Sequence, residues 1–316
     1  METVLIAGGT GLVGTALRNL LLQNGYRVIL LSRAVQKTTS NVNIHGSNEP
    51  FQNARWDPAT GIIDKIAFAQ ADYIVNLAGA GVAEKRWTDQ RKKEIVDSRI
   101  KSGQLLVKAL TEIPNNVKAV INASAIGWYG ADDEKKNRED FKEEHTAANG
   151  FLGQTCKQWE DSVDPVSSLG VRLVKLRIGI VLSNRGGALA EFIKPLRLGV
   201  AAILGNGRQV ISWIHINDLC GIILYAIQQP TITGIYNAVA PNPVTNRQLT
   251  LGLAKTRNGS NFISIPVPGF ILTIVMGEMS VEILKSTTVS AEKIQKAGYV
   301  FLYPTINNAL KGLLNK

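Results

Sequence analysis

Cysteine and histidine are both scarce in this chain of 316 residues: Cys156 and Cys220 are its two thiols, and His45, His145 and His215 stand far apart. Two cysteines build neither a disulfide framework nor a metal-binding spacing, and the scattered histidines add no metal cluster. Long apolar runs are missing as well. The stretch Phe270-Ile271-Leu272-Thr273-Ile274-Val275-Met276 falls far short of the roughly 20 residues a bilayer-spanning helix needs. No leader segment is expected, because strand-forming residues begin at Thr3. These absences point to a cytoplasmic protein with no metal and no membrane partner. Acidic residues are also outnumbered, 25 Asp and Glu against 35 Lys and Arg, for a formal charge of +10. The excess lies in Lys85-Arg86, Arg91-Lys92-Lys93, Arg99, Lys101 and the C-terminal third. It suits an anionic ligand, and otherwise reads as solvated helix faces. No basic tract with interleaved aromatics is present, which argues against nucleic acid as a partner.

What is present begins at residue 3. The apolar run Thr3-Val4-Leu5-Ile6-Ala7 leads into Gly8-Gly9-Thr10-Gly11-Leu12-Val13-Gly14, and an apolar helical face follows at Ala16-Leu17 and Leu20-Leu21-Leu22. Strand, glycine turn and helix start in that order seat a dinucleotide pyrophosphate. Gly8 and Gly11 let backbone approach phosphate, Gly14 lets helix pack on strand, and unpaired N–H groups of the first helical turn face the anion. The next strand, Tyr26 to Leu31, ends in Ser32-Arg33 where an NAD-preferring site places a carboxylate. A guanidinium and a hydroxyl there match a ribose 2′-phosphate, so NADP(H) is the expected cofactor.

With 45% hydrophobic residues the chain can bury a large core in one or two domains. Lys37 to Gln52 reads as loop, Ala54 to Asp57 as a short strand, and Pro58 to Gly61 as a turn. Asp72 to Leu77, Val117 to Asn122 and Val171 to Leu176 read as buried strands, with a long helix over Asp89 to Thr111. The charged segment Asp132 to Glu144 reads as an exposed loop or lid. Strands alternating with helices predict an α/β fold, a Rossmann-like doubly wound parallel sheet over residues 1–180 joined by 209–240. Residues 181–316 are expected to form a smaller, partly interleaved C-terminal substrate domain.

The set of motifs also resembles a known group. Gly8 to Gly14, Leu31-Ser32-Arg33, Arg55-Trp56-Asp57-Pro58, Asn76-Leu77-Ala78-Gly79, Lys85-Arg86-Trp87-Thr88, Ser124 to Gly130, Arg177 to Leu182 and Ser212 to Ile216 are similar to extended short-chain dehydrogenase/reductases. Within that superfamily they look like the atypical branch labelled "epimerase family protein", some members of which are called cell- or plastid-division inhibitors. The resemblance implies NADP(H) held by the glycine loop (Gly8, Thr10, Gly11, Leu12, Val13, Gly14), Ser32, Arg33, Leu77, Ala78, Gly79, Glu94, Arg99 and Val181. An ordinary Glu94–Arg99 surface pair is the alternative for those two.

The pattern departs from a working dehydrogenase where the superfamily carries Tyr and, four residues later, Lys. Aligned on Glu160, this chain has Leu152 and Cys156 in those slots, and Lys157 points about 100° away. Two catalytic candidates remain. Ser124 stands at a strand end, and Tyr129 either substitutes for the missing phenol or matches a structural tyrosine of sugar epimerases. Ile211 occupies the place of the arginine that binds a sugar-nucleotide diphosphate, with Arg208 three residues earlier. His215 reads as the start of a helix. The expectation is an NADP(H)-binding, epimerase-like oxidoreductase acting on an unidentified small carbonyl or alcohol. The alternative is a catalytically weak or inactive NADP(H)-binding sensor or scaffold, in cell or organelle division.

Overall fold

Thr3–Ala7 (β1) is buried on both faces, as an inner strand of a covered parallel sheet must be. The computed structural model describes residues 1–33, 51–133 and 140–314. After β1 come α1 (Leu12–Gln23), β2 (Arg27–Ser32), β3 (Gln52–Asp57), β4 (Ile62–Ile63), α2 (Lys65–Ala69) and β5 (Tyr73–Asn76). The first part closes with α3 (Asp89–Glu112), β6 (Ala119–Ala125), α4 (Phe151–Asp161), α5 (Pro165–Ser168) and β7 (Arg172–Ile178). The chain continues through β8 (Ile180–Ser183), β9 (Gly186–Gly187), α6 (Ala188–Leu196), β10 (Val200–Leu204), β11 (Val210–Ile211), β12 (Trp213–His215), α7 (Ile216–Gln228) and β13 (Gly234–Ala238). It ends with β14 (Val244–Thr245), α8 (Asn246–Asn258), β15 (Ile263–Val267), α9 (Gly269–Met276), α10 (Met279–Leu284), α11 (Glu292–Lys296) and α12 (Ile306–Leu314).

Eight strands form the central sheet in the order β13-β7-β6-β5-β1-β2-β3-β4. All neighbours run parallel except the edge pair β3 and β4. Alternate residues of each strand feed two cores. Val4, Ile6, Val28 and Leu30 pack with Leu17 and Leu21 of α1 and with α7. Leu5, Ala7, Ile29 and Leu31 pack with Phe68 of α2 and Leu105, Leu106 and Leu110 of α3. Each of the larger side chains contributes about 1.5–3 kcal/mol on leaving water, so the strands read as continuous apolar runs. This is the doubly wound α/β architecture. Strand order reverses between β2 and β5 on either side of β1, the crevice where such sheets take ligands.

Outside the main sheet, β12, β8 and β9 form a three-stranded sheet, β10 pairs with β15 in parallel, and β11 pairs with β14. On β15, Ile263 and Ile265 are 63% and 42% exposed. Asp218 in the first turn of α7 accepts the backbone N–H of Leu302 at 2.7 Å and of Tyr303 at 2.9 Å, and the Tyr299 hydroxyl at 3.2 Å. One carboxylate thereby pins the C-terminal segment.

Two expectations need amendment. The stretch Asp132 to Glu144 is not simply an exposed lid. Asp132 accepts from the backbone and hydroxyl of Thr288 at 2.7 and 2.6 Å, Phe141 bridges to Val289, and Glu143 is buried. Residues 134–139 lie outside the described residues. So does most of the loop expected over Lys37 to Gln52, whose last residue opens β3. Among the described residues no helix is long and apolar enough to cross a membrane.

Candidate functional site

At the crevice the glycines meet the end of β5. Gly8 has φ +80°, and a Cβ there would lie 2.7 Å from the carbonyl of Leu77 and 3.0 Å from the nitrogen of Ala78. A Cβ on Gly14 would lie 2.4 Å from the Gly8 oxygen. Only hydrogen fits at either place. The Gly11 N–H closes the turn on Gly8 O at 3.1 Å, and the Leu77 N–H bonds Ala7 O at 2.9 Å. Gly11 caps α1 without a side-chain hydrogen bond, and the first turn, beginning at Leu12 and Val13, carries no acidic residue. Its amide donors, beside exposed Thr10, are therefore left for an anion.

Ser32 ends β2 beside this loop, and Arg33 follows it. Gly79 follows the close approach of Leu77 and Ala78, and Arg99 lies against it: a Cβ on Gly79 would be 3.2 Å from the guanidinium carbon. Arg99 donates to Ala80 O at 3.0 Å and Ile95 O at 2.9 Å and stacks over Trp159 at 4.9 Å. Burial lowers its pKa, and among the described residues no carboxylate pairs with it. Glu94 is exposed and pairs with Arg91 at 2.6 Å, so the simple Glu94–Arg99 pair does not form. Val181 lies in β8, whose partner strand holds Gly187; a Cβ on Gly187 would be 3.0 Å from Leu12 and 3.8 Å from Val181 O. The glycine loop, Leu77 to Gly79, Arg99 and Val181 are thus gathered around one crevice.

The two catalytic candidates are spent on a buried network. Ser124 is 2% exposed and donates to Glu160 Oε1 at 2.7 Å. Arg177 holds both oxygens of Glu160, at 2.9 and 3.2 Å, and donates to the Tyr129 hydroxyl at 3.0 Å. Tyr129, fully enclosed, donates to Asn237 Oδ1 at 2.7 Å, and burial pushes its phenol up to about 12. The Arg177 guanidinium also lies 3.7 Å from the Trp128 ring centroid. This Arg177–Glu160 centre is the part of the region that sequence reasoning missed. Its signal is an arginine at the buried end of the strand Arg172–Ile178, together with a glutamate at i+4 from Cys156 on α4.

Leu152 and Cys156 do face the end of β6: a Cβ on Gly127 would lie 3.1 Å from Leu152 and 3.6 Å from Cys156 Sγ. Burial pushes the Cys156 thiol up to about 12, so it stays protonated at neutral pH. Lys157 turns outward to Asp161 at 2.6 Å. Arg208 is exposed, while Ile211 lies in β11. His215 caps α7 through Nδ1, which accepts the Asn217 N–H at 3.0 Å, and stacks on Tyr303 at 3.7 Å.

Residues 4–238 match the sequence profile of the NAD dependent epimerase/dehydratase family. The chain belongs to that family. Residues 267–313 of this epimerase-family chain also match a domain of unknown function, DUF1731. The chain is 34% identical over 316 residues to Epimerase family protein SAR0825 of Staphylococcus aureus, covering 100% of both chains. It is 32% identical over 308 residues to Epimerase family protein ML0860 of Mycobacterium leprae, covering 97% of this chain and 94% of the relative. Among solved structures it is similar to the human epimerase family protein SDR39U1 determined with NADPH. That likeness has a TM-score of 0.84 and 29% identity over 99% of each chain. These matches support the atypical short-chain dehydrogenase/reductase branch suggested by its motifs.

Proposed function

We propose that this chain binds NADP(H) across the carboxyl ends of β1, β2 and β5 and acts as an oxidoreductase on a small carbonyl or alcohol. The observation that carries this reading is the close approach of Gly8 to Leu77 and Ala78 beneath an uncapped helix start. Family membership and the human relative determined with NADPH lend it support. In this reading Gly8, Thr10, Gly11, Leu12, Val13 and Gly14 receive the pyrophosphate, and Ser32 and Arg33 receive the 2′-phosphate. Leu77, Ala78 and Gly79 admit the adenosine ribose, Glu94 and Arg99 border it, and Val181 bounds the nicotinamide end. The bound cofactor supplies hydride transfer. The chain orients it and excludes water, and Leu152 and Cys156 bring no acid–base pair to the reacting carbon. Ser124 and Tyr129 act by holding the strand ends in place, since each donates its hydroxyl hydrogen bond to a buried acceptor.

The test is fluorescence titration with NADPH and NADH, followed by isotopic hydride exchange against a carbonyl panel. NADPH is expected to bind at least about tenfold more tightly than NADH, and Arg33→Asp is expected to reverse the order. Lack of affinity for either nucleotide overturns the proposal. Binding without hydride exchange on any carbonyl favours the sensor reading, to which Leu152 and Cys156 in the dyad slots already lend weight.

A further inference from the structure

We infer that Arg55 is a cofactor-specificity residue, a second guanidinium for the dianionic phosphate monoester on the adenosine ribose. The inference rests on the NADP(H) reading above. It concerns a residue outside the glycine loop and outside the strand-end pair Ser32-Arg33.

Strands β2 and β3 are parallel neighbours in the register Leu30 with Asn53, Leu31 with Ala54 and Ser32 with Arg55. Partners in adjacent strands project to the same face of a sheet. Leu31 and Ala54 pack into the core beneath α3, so Ser32 and Arg55 take the opposite face, the one Leu30 shares with α1. Leu30 marks how near this lies to the glycine loop: a Cβ on Gly9 would be 2.5 Å from its Cδ2. Two residues further along the same face, Ser32 and Arg55 stand side by side about 4.8 Å apart in backbone spacing. Ser32 ends β2, and Arg55 lies two residues before the end of β3, one strand further from the crevice.

Arg33 lies within electrostatic reach of two carboxylates. Asp57 is held below the usual carboxylate range chiefly by its hydrogen bond from Thr60, and Arg33 adds to the effect. Glu94 is lowered chiefly by Arg91, and again Arg33 contributes. A dianion beside Arg33 would also feel these two carboxylates, Asp57 standing two residues beyond Arg55 on β3, so a second guanidinium helps to offset them. Arg55 is exposed, and none of the ion pairs among the described residues includes it. Its planar fork can grip a phosphate with two charge-assisted hydrogen bonds. As an exposed residue on a strand near the sheet edge, it can be changed without opening a cavity.

The experiment compares dissociation constants of NADPH, NADH, 2′,5′-ADP and 5′-AMP at fixed ionic strength for the full chain and for Arg55→Ala and Arg55→Lys. Arg55→Ala is expected to weaken NADPH and 2′,5′-ADP by roughly 10- to 100-fold while NADH and 5′-AMP change by less than about threefold. Arg55→Lys, a point charge without the fork, falls between. If the parent chain prefers NADPH and Arg55→Ala keeps the same NADPH-to-NADH ratio, the inference is wrong and the cofactor reading survives. Equal binding of NADPH and NADH by the parent chain overturns both. A parallel loss for all four nucleotides also overturns the inference, because it would mark a general electrostatic effect.

Discussion

At pH 7 the His215 ring is neutral. Burial alone pushes its pKa down to about 4, from about 6.5 in an unfolded chain. Its Nδ1 already accepts the Asn217 N–H, and its buried Nε2 has no partner among the described residues. Between the two values the unfolded chain binds the proton and the folded chain does not, so stability rises with pH there. The contribution is complete above about pH 6.5 and is lost as pH falls toward 4, by up to about 3 kcal/mol. Thermal denaturation at pH 7 and pH 4.5 measures it, and His215→Asn, which keeps an acceptor for the cap, is expected to flatten the slope. Gly14 offers a second test at this scale. Ala there would drive its Cβ into the Gly8 carbonyl and push α1 off the loop. Gly14→Ala is expected to weaken nucleotide binding at least about tenfold in a chain whose circular dichroism stays folded.

Strand β7 and helix α4 are joined by a buried ion pair, and removing one member strands the other. Arg177→Met leaves Glu160 with Lys175, 3.9 Å away, as its ion-pair partner among the described residues, and is expected to cost up to about 3–5 kcal/mol in urea unfolding. Adding Glu160→Gln should recover much of that loss, since both charges then leave the interior together. Ser124→Ala removes one hydrogen bond to a carboxylate, about 1.5–3 kcal/mol. If it abolishes hydride transfer while stability and NADPH affinity hold, Ser124 acts on substrate and the scaffold assignment fails. These elements also show what sequence patterns can convey. β1, the glycine turn and α1 are local, each fixed by residues within about one helical turn of one another. The partners of Arg177 are Glu160 on α4, Tyr129 after β6 and the Glu143 carbonyl, and only the fold brings them together. The register that sets Arg55 beside Ser32 is equally invisible without the intervening chain. Short pieces such as β9, β11 and β14 have two residues each, too few for any periodicity to register.

For the molecule as a whole, nucleotide binding and folding are linked. A ligand that occupies only the native crevice stabilises it by about 2.7 kcal/mol at a hundred times its dissociation constant. NADPH is therefore expected to raise the melting temperature by several degrees at concentrations where NADH does not, and Arg33→Asp should exchange the two responses. Differential scanning fluorimetry with both nucleotides reads this directly. The parallel ribbon of β10 and β15 bears on another collective property, whether copies of the chain stick to each other. Ile263 N–H turns toward Gly199 O, and Val267 O receives the Gly205 N–H. The inward set is thus 263, 265 and 267, which leaves Ser264 and Pro266 to present backbone outward. Proline has no amide hydrogen, so an incoming strand would find one donor along that whole rim. Isoleucines can lie bare on this surface without seeding a cross-molecular sheet, and Pro266→Val should raise aggregation above that of the parent chain in light scattering.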